Sequence, residues 1–206
     1  MSQFALPLAW HPDARDGEFI VSSSNAQAVR TLEHWASWPV MTALLVGPPG
    51  SGRTLLATVF ARLSGGSVVD DAERGAEAEL FHAWNRAQVE RRPTLFVAAA
   101  APPDWNVALP DLRTRLAASP LARIEAPDDA LVTALIERGF ERARVDARAD
   151  LVQWLAARVE RSHRAVTHVV DTLVAAALSG HRRLSIPMAR ETLAATATFT
   201  DRTEPE

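Results

Sequence analysis

The sequence predicts an α/β fold: a parallel sheet shortened to about four strands, followed by a small all-helical lid. Three observations predict it. An apolar run, Thr42 to Val46, leads through a glycine-rich loop into a helical pattern. A second apolar run, Ser67 to Val69, ends in two acids, Asp70 and Asp71. From Pro127 onward the apolar residues recur at helical spacing. At 206 residues the chain can build one good-sized core plus a small satellite.

The first strand and its loop carry the most chemistry. Thr42 to Val46 has the length and composition of a buried parallel strand. Gly47-Pro48-Pro49-Gly50-Ser51-Gly52-Arg53-Thr54 follows, and then Leu55, Leu56, Val59, Phe60 and Leu63 recur with helical period. Strand, glycine-rich loop and helix together form the context of a P-loop. The glycines let the backbone curl until its N–H groups face a phosphate, and the helix N-terminus adds partial positive charge. Thr54 stands where a hydroxyl ligates Mg²⁺. The motif asks for Lys before that Thr, and Arg53 stands there instead. Arg is longer and planar, so the exchange is not conservative in a tight site. Two readings stay open. Since every basic residue of the chain is Arg, the site can have drifted with the rest and still bind nucleotide. Or binding has relaxed and the loop survives as architecture.

The second strand is expected over Ser67 to Asp71. Asp70 would hold the metal through water, and Asp71 would orient the attacking water. The P-loop helix must end near Ser64, so Asp70 follows almost at once. ATPases of this design usually insert another strand and helix here. That strand lies at the sheet edge, so its loss leaves the central ladder whole. The third strand, Thr94 to Ala99, follows a helix built on Ala78, Phe81, Trp84 and Asn85. Its tip reads Ala98 to Ala101, with no polar group to sense a γ-phosphate.

Leu109 to Leu116 reads as a capped helix with Leu109, Leu112 and Leu116 as its buried stripe. Arg113 and Arg115 flank the stripe and are expected to reach outward, either as solvated charges or as an arginine finger donated to a neighbouring subunit's γ-phosphate. Beyond Pro127, helices are expected around Leu131 to Phe140, Leu151 to Val159, Val166 to Ala177 and up to Leu193. Arg164, just before the third of these, could fold back over a nucleotide. The amino end holds QFALPL, residues 3–8, too short to cross a membrane and too apolar for a free tail. On the residues alone it is either a first core strand or a bait for another protein.

Composition excludes several classes. A net charge of −3 advertises no basic face for bulk DNA binding. With no cysteine, disulfides and thiolate metal sites are impossible. The histidines show no metal-ligand spacing. No signal peptide or membrane-length apolar run is present, and a cytoplasmic protein is expected.

The P-loop base with its helical lid, the paired acids and the phrase LPDLRTRL resemble the initiator clade of AAA+ ATPases. Within it, the chain is most similar to the Hda-like regulators related to the replication initiator DnaA. DGEFIVSSSNAQAV, residues 16–29, resembles the family's entry segment, and LPDLRTRL its arginine-finger box. DTLVAAALSGHRRLSIPMARETL resembles its last lid segment. The resemblance implies that Phe19, Ile20 and Val21 line an adenine pocket and that Gly47 to Leu55 bind the phosphates. It makes Arg164 the lid's nucleotide sensor and Arg115, with Arg113 beside it, the finger. It implies ADP or ATP with Mg²⁺ as the cofactor, Thr54 and Asp70 serving the metal. It also makes QFALPL a peptide for the DNA polymerase III sliding clamp: Gln3 as polar anchor, Phe4 where the family has Leu, Leu6 and Leu8 in the apolar pocket, and Pro7 stiffening the peptide. The implied partners are the clamp and DnaA, with DNA reached only through the clamp and no membrane. No DNA-binding helix-turn-helix is expected after the lid.

The expected organisation is therefore a clamp-binding peptide and linker over 1–15, a nucleotide-binding base over 16–126, a lid over 127–199 and a tail over 200–206. The implied function is negative regulation of replication initiation, by stimulating hydrolysis of DnaA-bound ATP. Two alternatives remain: a self-contained AAA+ ATPase resembling a helicase loader, and a degenerate paralogue whose P-loop is scaffold.

Overall fold

The computed structural model describes residues 19–180 and 183–194. QFALPL, the linker after it and the tail from Thr200 lie outside the described residues. The chain divides into two compact units between Glu125 and Ala126.

The first unit is a three-layer α/β structure. Its strands are β1 (Thr42–Val46), β2 (Ser67–Val69), β3 (Thr94–Ala98) and β4 (Leu121–Arg123). They form one parallel sheet in the order β2-β3-β1-β4. The helices are α1 (Ala26–Glu33), α2 (Arg53–Ser64), α3 (Glu77–Glu90) and α4 (Pro110–Ala118). Successive side chains of a strand point to opposite faces, and here both faces are covered. Ala43, Leu45, Leu95 and Val97 pack with Val29, Leu32, Leu56 and Phe60 of α1 and α2. Leu44, Val46, Phe96 and Ala98 pack with Leu80, Leu112 and Leu116 of α3 and α4. That is why β1 and β3 are buried along their whole length and continuously apolar after their first Thr, rather than alternating. The sheet has the expected four strands, and β2 lies at its edge, so the shortening leaves β3-β1-β4 intact.

Several local expectations are corrected. β2 ends at Val69; Asp70 and Asp71 belong to the turn after it, where Asp71 takes a left-handed conformation with φ of 47°. α3 buries Leu80, Ala83 and Ala87, while Ala78 is exposed and Phe81 and Trp84 sit half-buried beside the core. In α4 only Leu112 and Leu116 are buried. Leu109 precedes the helix and is 37% exposed, because Pro110 occupies the first turn. Leu63 of α2 is also exposed.

The second unit holds α5 (Asp129–Arg142), α6 (Ala149–Ala156), α7 (His163–Gly180) and α8 (Ile186–Leu193). Asp128 caps α5, its Oδ1 accepting from the Leu131 N–H at 2.7 Å. Ile136 and Phe140 from α5, Leu151 and Leu155 from α6, Val169 and Leu173 from α7 and Met188 from α8 close one core. Gly139 lets α5 pack closely on α7. A Cβ there would lie 2.6 Å from Val170 Cγ1. Gly139→Ala gains about 1 kcal/mol of helix propensity, but overpacking a stiff Val costs about 1–3 kcal/mol. Net destabilisation is the expected outcome of denaturant unfolding, and a more stable variant would show that the helices can part at that point.

His163 starts α7, 5% exposed, with Nδ1 lacking a partner. Burial pushes its pKa below the ordinary 6.5. The unfolded chain therefore takes a proton that the folded one refuses. The resulting stability is complete above the ordinary value and is lost as pH falls from there toward the lowered one. The wild type is expected to lose more stability between pH 7.5 and about pH 5 than His163→Gln does. Parallel stability profiles would refute the assignment to His163.

Candidate functional site

The site is built on the tip of β1. Gly47 is buried, and a Cβ on it would meet Ile124 Cβ at 2.9 Å and the Ile124 carbonyl at 3.0 Å, so only glycine lets the chain leave the sheet here. Ser51 N–H donates to the Pro48 carbonyl at 3.2 Å, closing the turn. Gly50 and Gly52 have φ of 78° and 83°, a region glycine enters freely. Gly52 then caps α2. The first-turn N–H groups of Arg53, Thr54 and Leu55 have no carbonyl of their own helix to bond, so they face outward from the helix end.

Two buried polar atoms in this loop have no partner: Ser51 Oγ and Arg53 Nη1. An unpaired donor of a guanidinium is costly inside a protein unless an anion meets it. Together with the helix N-terminus, these donors suit a phosphate. Thr54 Oγ1 donates to Asp70 Oδ2 at 2.9 Å. The pair unites the P-loop helix with the end of β2, and its hydroxyl and carboxylate oxygens are hard ligands that suit Mg²⁺. The Asp71 N–H donates to Asp70 Oδ1 at 3.0 Å, fixing that carboxylate.

Phe19 is brought to the loop as well. Its ring would lie 3.1 Å from a Cβ on Gly52, and it packs on the core shared by α1 and α2. The Ile20 carbonyl accepts from Asn25 Nδ2 at 2.8 Å, and Asn25 Oδ1 accepts from the Ser22 N–H at 2.9 Å. Asn25, 2% exposed, thus pins the entry segment. The sequence reading did not single it out.

Asp71 is placed differently from Asp70. Its carboxylate turns outward toward Arg74, 3.9 Å away, with both side chains well exposed. The tip of β3 is not without a polar group, as its alanines suggested. Glu73 Oε1 accepts from the Ala99 N–H at 3.0 Å, while Oε2 is buried and unpartnered. By register Val46 pairs with Ala98, so Ala99 stands level with Gly47. No local pattern marked the Glu73–Ala99 bond, because it joins residues 26 apart in the chain.

Arg113 is exposed as expected, although Nε and Nη2 both donate to the Val107 carbonyl, at 3.0 and 2.6 Å. Arg115 does not reach outward. Its guanidinium lies 4.6 Å from the Phe81 ring centre and 4.5 Å from that of Trp84. It donates to Asn85 Oδ1 and pairs with Asp111 at 3.2 Å. Cation–π attraction to two ring faces outweighs free solvation for a weakly hydrated guanidinium. Arg164 is exposed in the first turn of α7, in the second unit. No group of three or more metal-ligating side chains occurs among the described residues, and no helix among them is long and apolar enough to cross a membrane.

No protein-family model matches the chain. Among solved structures it is similar to domain III of the replication initiation protein DnaA from Thermotoga maritima. The identity is 15%, the match covers 85% of this chain and 93% of that one, and the TM-score is 0.73. It is similar to AMPPCP-bound DnaA from Aquifex aeolicus at 15% identity, covering 79% of this chain and 65% of that one, with a TM-score of 0.61. A RuvB variant from Thermotoga maritima matches at 14% identity over 86% of this chain and 70% of that one, with a TM-score of 0.62. The chain has the fold of DnaA domain III, built here on a four-stranded parallel sheet.

Proposed function

We propose that the chain is a negative regulator of DNA replication initiation. It binds the DNA polymerase III sliding clamp through QFALPL and stimulates hydrolysis of ATP held by DnaA. The observation that carries the reading is the likeness to DnaA domain III over most of both chains, because AAA+ subunits of matching shape can pack so that one completes its neighbour's site. The arginine-bearing helix α4 supplies what that neighbour would lack: Arg115, or failing it Arg113, as the finger.

The chain's own nucleotide, ADP or ATP, would sit on Gly47 to Leu55 with Phe19 and Ile20 beside the base and Arg164 as lid sensor. Mg²⁺ would supply charge neutralisation at Thr54 and Asp70. Asp71 would orient a water only by turning away from Arg74, so slow hydrolysis by this chain fits the geometry. Regulation does not require it to be fast. DNA would be reached only through the clamp, and the setting would be cytoplasmic.

Capture on immobilised sliding clamp tests the tether. The wild type is expected to bind, and Ala at Gln3, Leu6, Pro7 and Leu8 together is expected to abolish binding without lowering the melting temperature. A wild type that ignores the clamp would defeat the tether, and with it the role of Phe4. One observation favours the second reading, a self-contained ATPase: the Thr54–Asp70 bond is what such an enzyme needs. Steady-state ATP turnover by the chain alone, at rates typical of an enzyme, would select it.

A further inference from the structure

The contacts of Arg115 are more elaborate than helix packing requires. Phe81, Trp84 and Asn85 stand at i, i+3 and i+4 on α3, so they share one face of that helix. The two rings hold the guanidinium on their π faces at 4.6 and 4.5 Å. Asn85 Oδ1 takes one hydrogen from Nη1, and Asp111, one turn earlier on α4, pairs with Nη2. A leucine would knit α3 to α4 as well, without burying an Nε that has no partner. A guanidinium carries five N–H donors, and Asn85 and Asp111 engage only part of that set. The side chain keeps 25% of its surface exposed.

We propose that Phe81, Trp84, Asn85 and Asp111 are positioning residues for Arg115. They hold its guanidinium in one orientation, with Nη donors to spare, before the γ-phosphate of a neighbouring AAA+ subunit arrives. The proposal rests on the reading of Arg115 as the finger. Arginine has four side-chain torsions, and a free one must be ordered during the encounter. A caged one meets the developing charge without reorganising. The cage also explains why α3 spends two large aromatics half outside the core: their faces are used by the cation rather than by the sheet.

The test measures hydrolysis of DnaA-bound ATP with clamp on DNA, together with half-saturating concentration and melting temperature. Asn85→Ala is expected to lower the maximal stimulated rate between about 10- and 100-fold, the scale of a small misplacement of a catalytic group. The half-saturating concentration should stay unchanged. Trp84→Leu should behave the same way. Trp84→Phe should retain the rate, since it keeps a π face and gives up an indole N–H that has no partner. Asn85→Ala on top of Arg115→Ala should add nothing, because Asn85 acts only through Arg115. Full stimulation by Asn85→Ala and Trp84→Leu, while Arg115→Ala abolishes it, would overturn the cage and leave the finger standing. A further drop in the double variant would overturn it as well. Full stimulation by Arg115→Ala would instead remove the finger reading beneath it.

Discussion

Arg53→Ala is expected to weaken ADP binding by between about 10- and 150-fold, read by calorimetry. The range follows from the about 1.5–3 kcal/mol that a hydrogen bond to a charged partner contributes. Arg53 opens α2 directly after the left-handed Gly52, at the point where the helix presents its unpaired N–H groups. Nη1 is buried with no protein acceptor, and the neighbouring Ser51 hydroxyl is in the same condition. An acceptor from outside the chain resolves both. A phosphate does so with charge, and Arg can offer it two donors in a plane where Lys offers a point charge. Arg53 is half-buried at the start of α2. Unchanged ADP affinity in Arg53→Ala would mean that the buried nitrogen faces no phosphate, and the P-loop would be scaffold. Thr54→Val is the partner control, expected to remove the Mg²⁺-dependent part of the affinity alone.

The second large effect is Arg115→Ala. Arginine fingers contribute about 10³- to 10⁵-fold to NTP hydrolysis when supplied in trans, so stimulated turnover of DnaA-bound ATP is expected to fall to the unstimulated rate. Clamp binding should be untouched, because α4 and QFALPL are separate segments. Arg113→Ala is expected to retain most of the stimulation, since two of its nitrogens are committed to the Val107 carbonyl. If the outcomes are exchanged, Arg113, the more exposed of the two, is the finger and Arg115 is a strut between α3 and α4.

How much of this was legible from the residues depends on what kind of signal each feature left. Thr42 to Val46, the glycine loop and the helices of the second unit were legible because burial writes long apolar patterns. β4 was not. It has three residues, of which only Ala122 is buried, so no run betrays it. α1 was hidden in the entry segment, where Ala28, Val29 and Leu32 carry its buried side. Motif chemistry singled out Thr54 and Asp70 as serving one metal, while the direct bond between their side chains is read from the structure. The outward turn of Asp71 was not anticipated, because it follows from a single left-handed residue. Glu73 at the tip of β3 and the cage around Arg115 were illegible for a common reason. Each joins residues distant in sequence through side-chain contacts, and helical periodicity alone assigned Phe81 and Trp84 to the core.

The central claim is that this chain, tethered to the clamp, drives hydrolysis of ATP on DnaA. It is tested most directly by following ATP bound to DnaA in the presence of DNA-loaded clamp, with wild-type chain or with the chain altered at Gln3, Leu6, Pro7 and Leu8. Rapid conversion to ADP is expected with the wild type, and the unstimulated rate with the altered chain. The same slow rate with both proteins would contradict the claim.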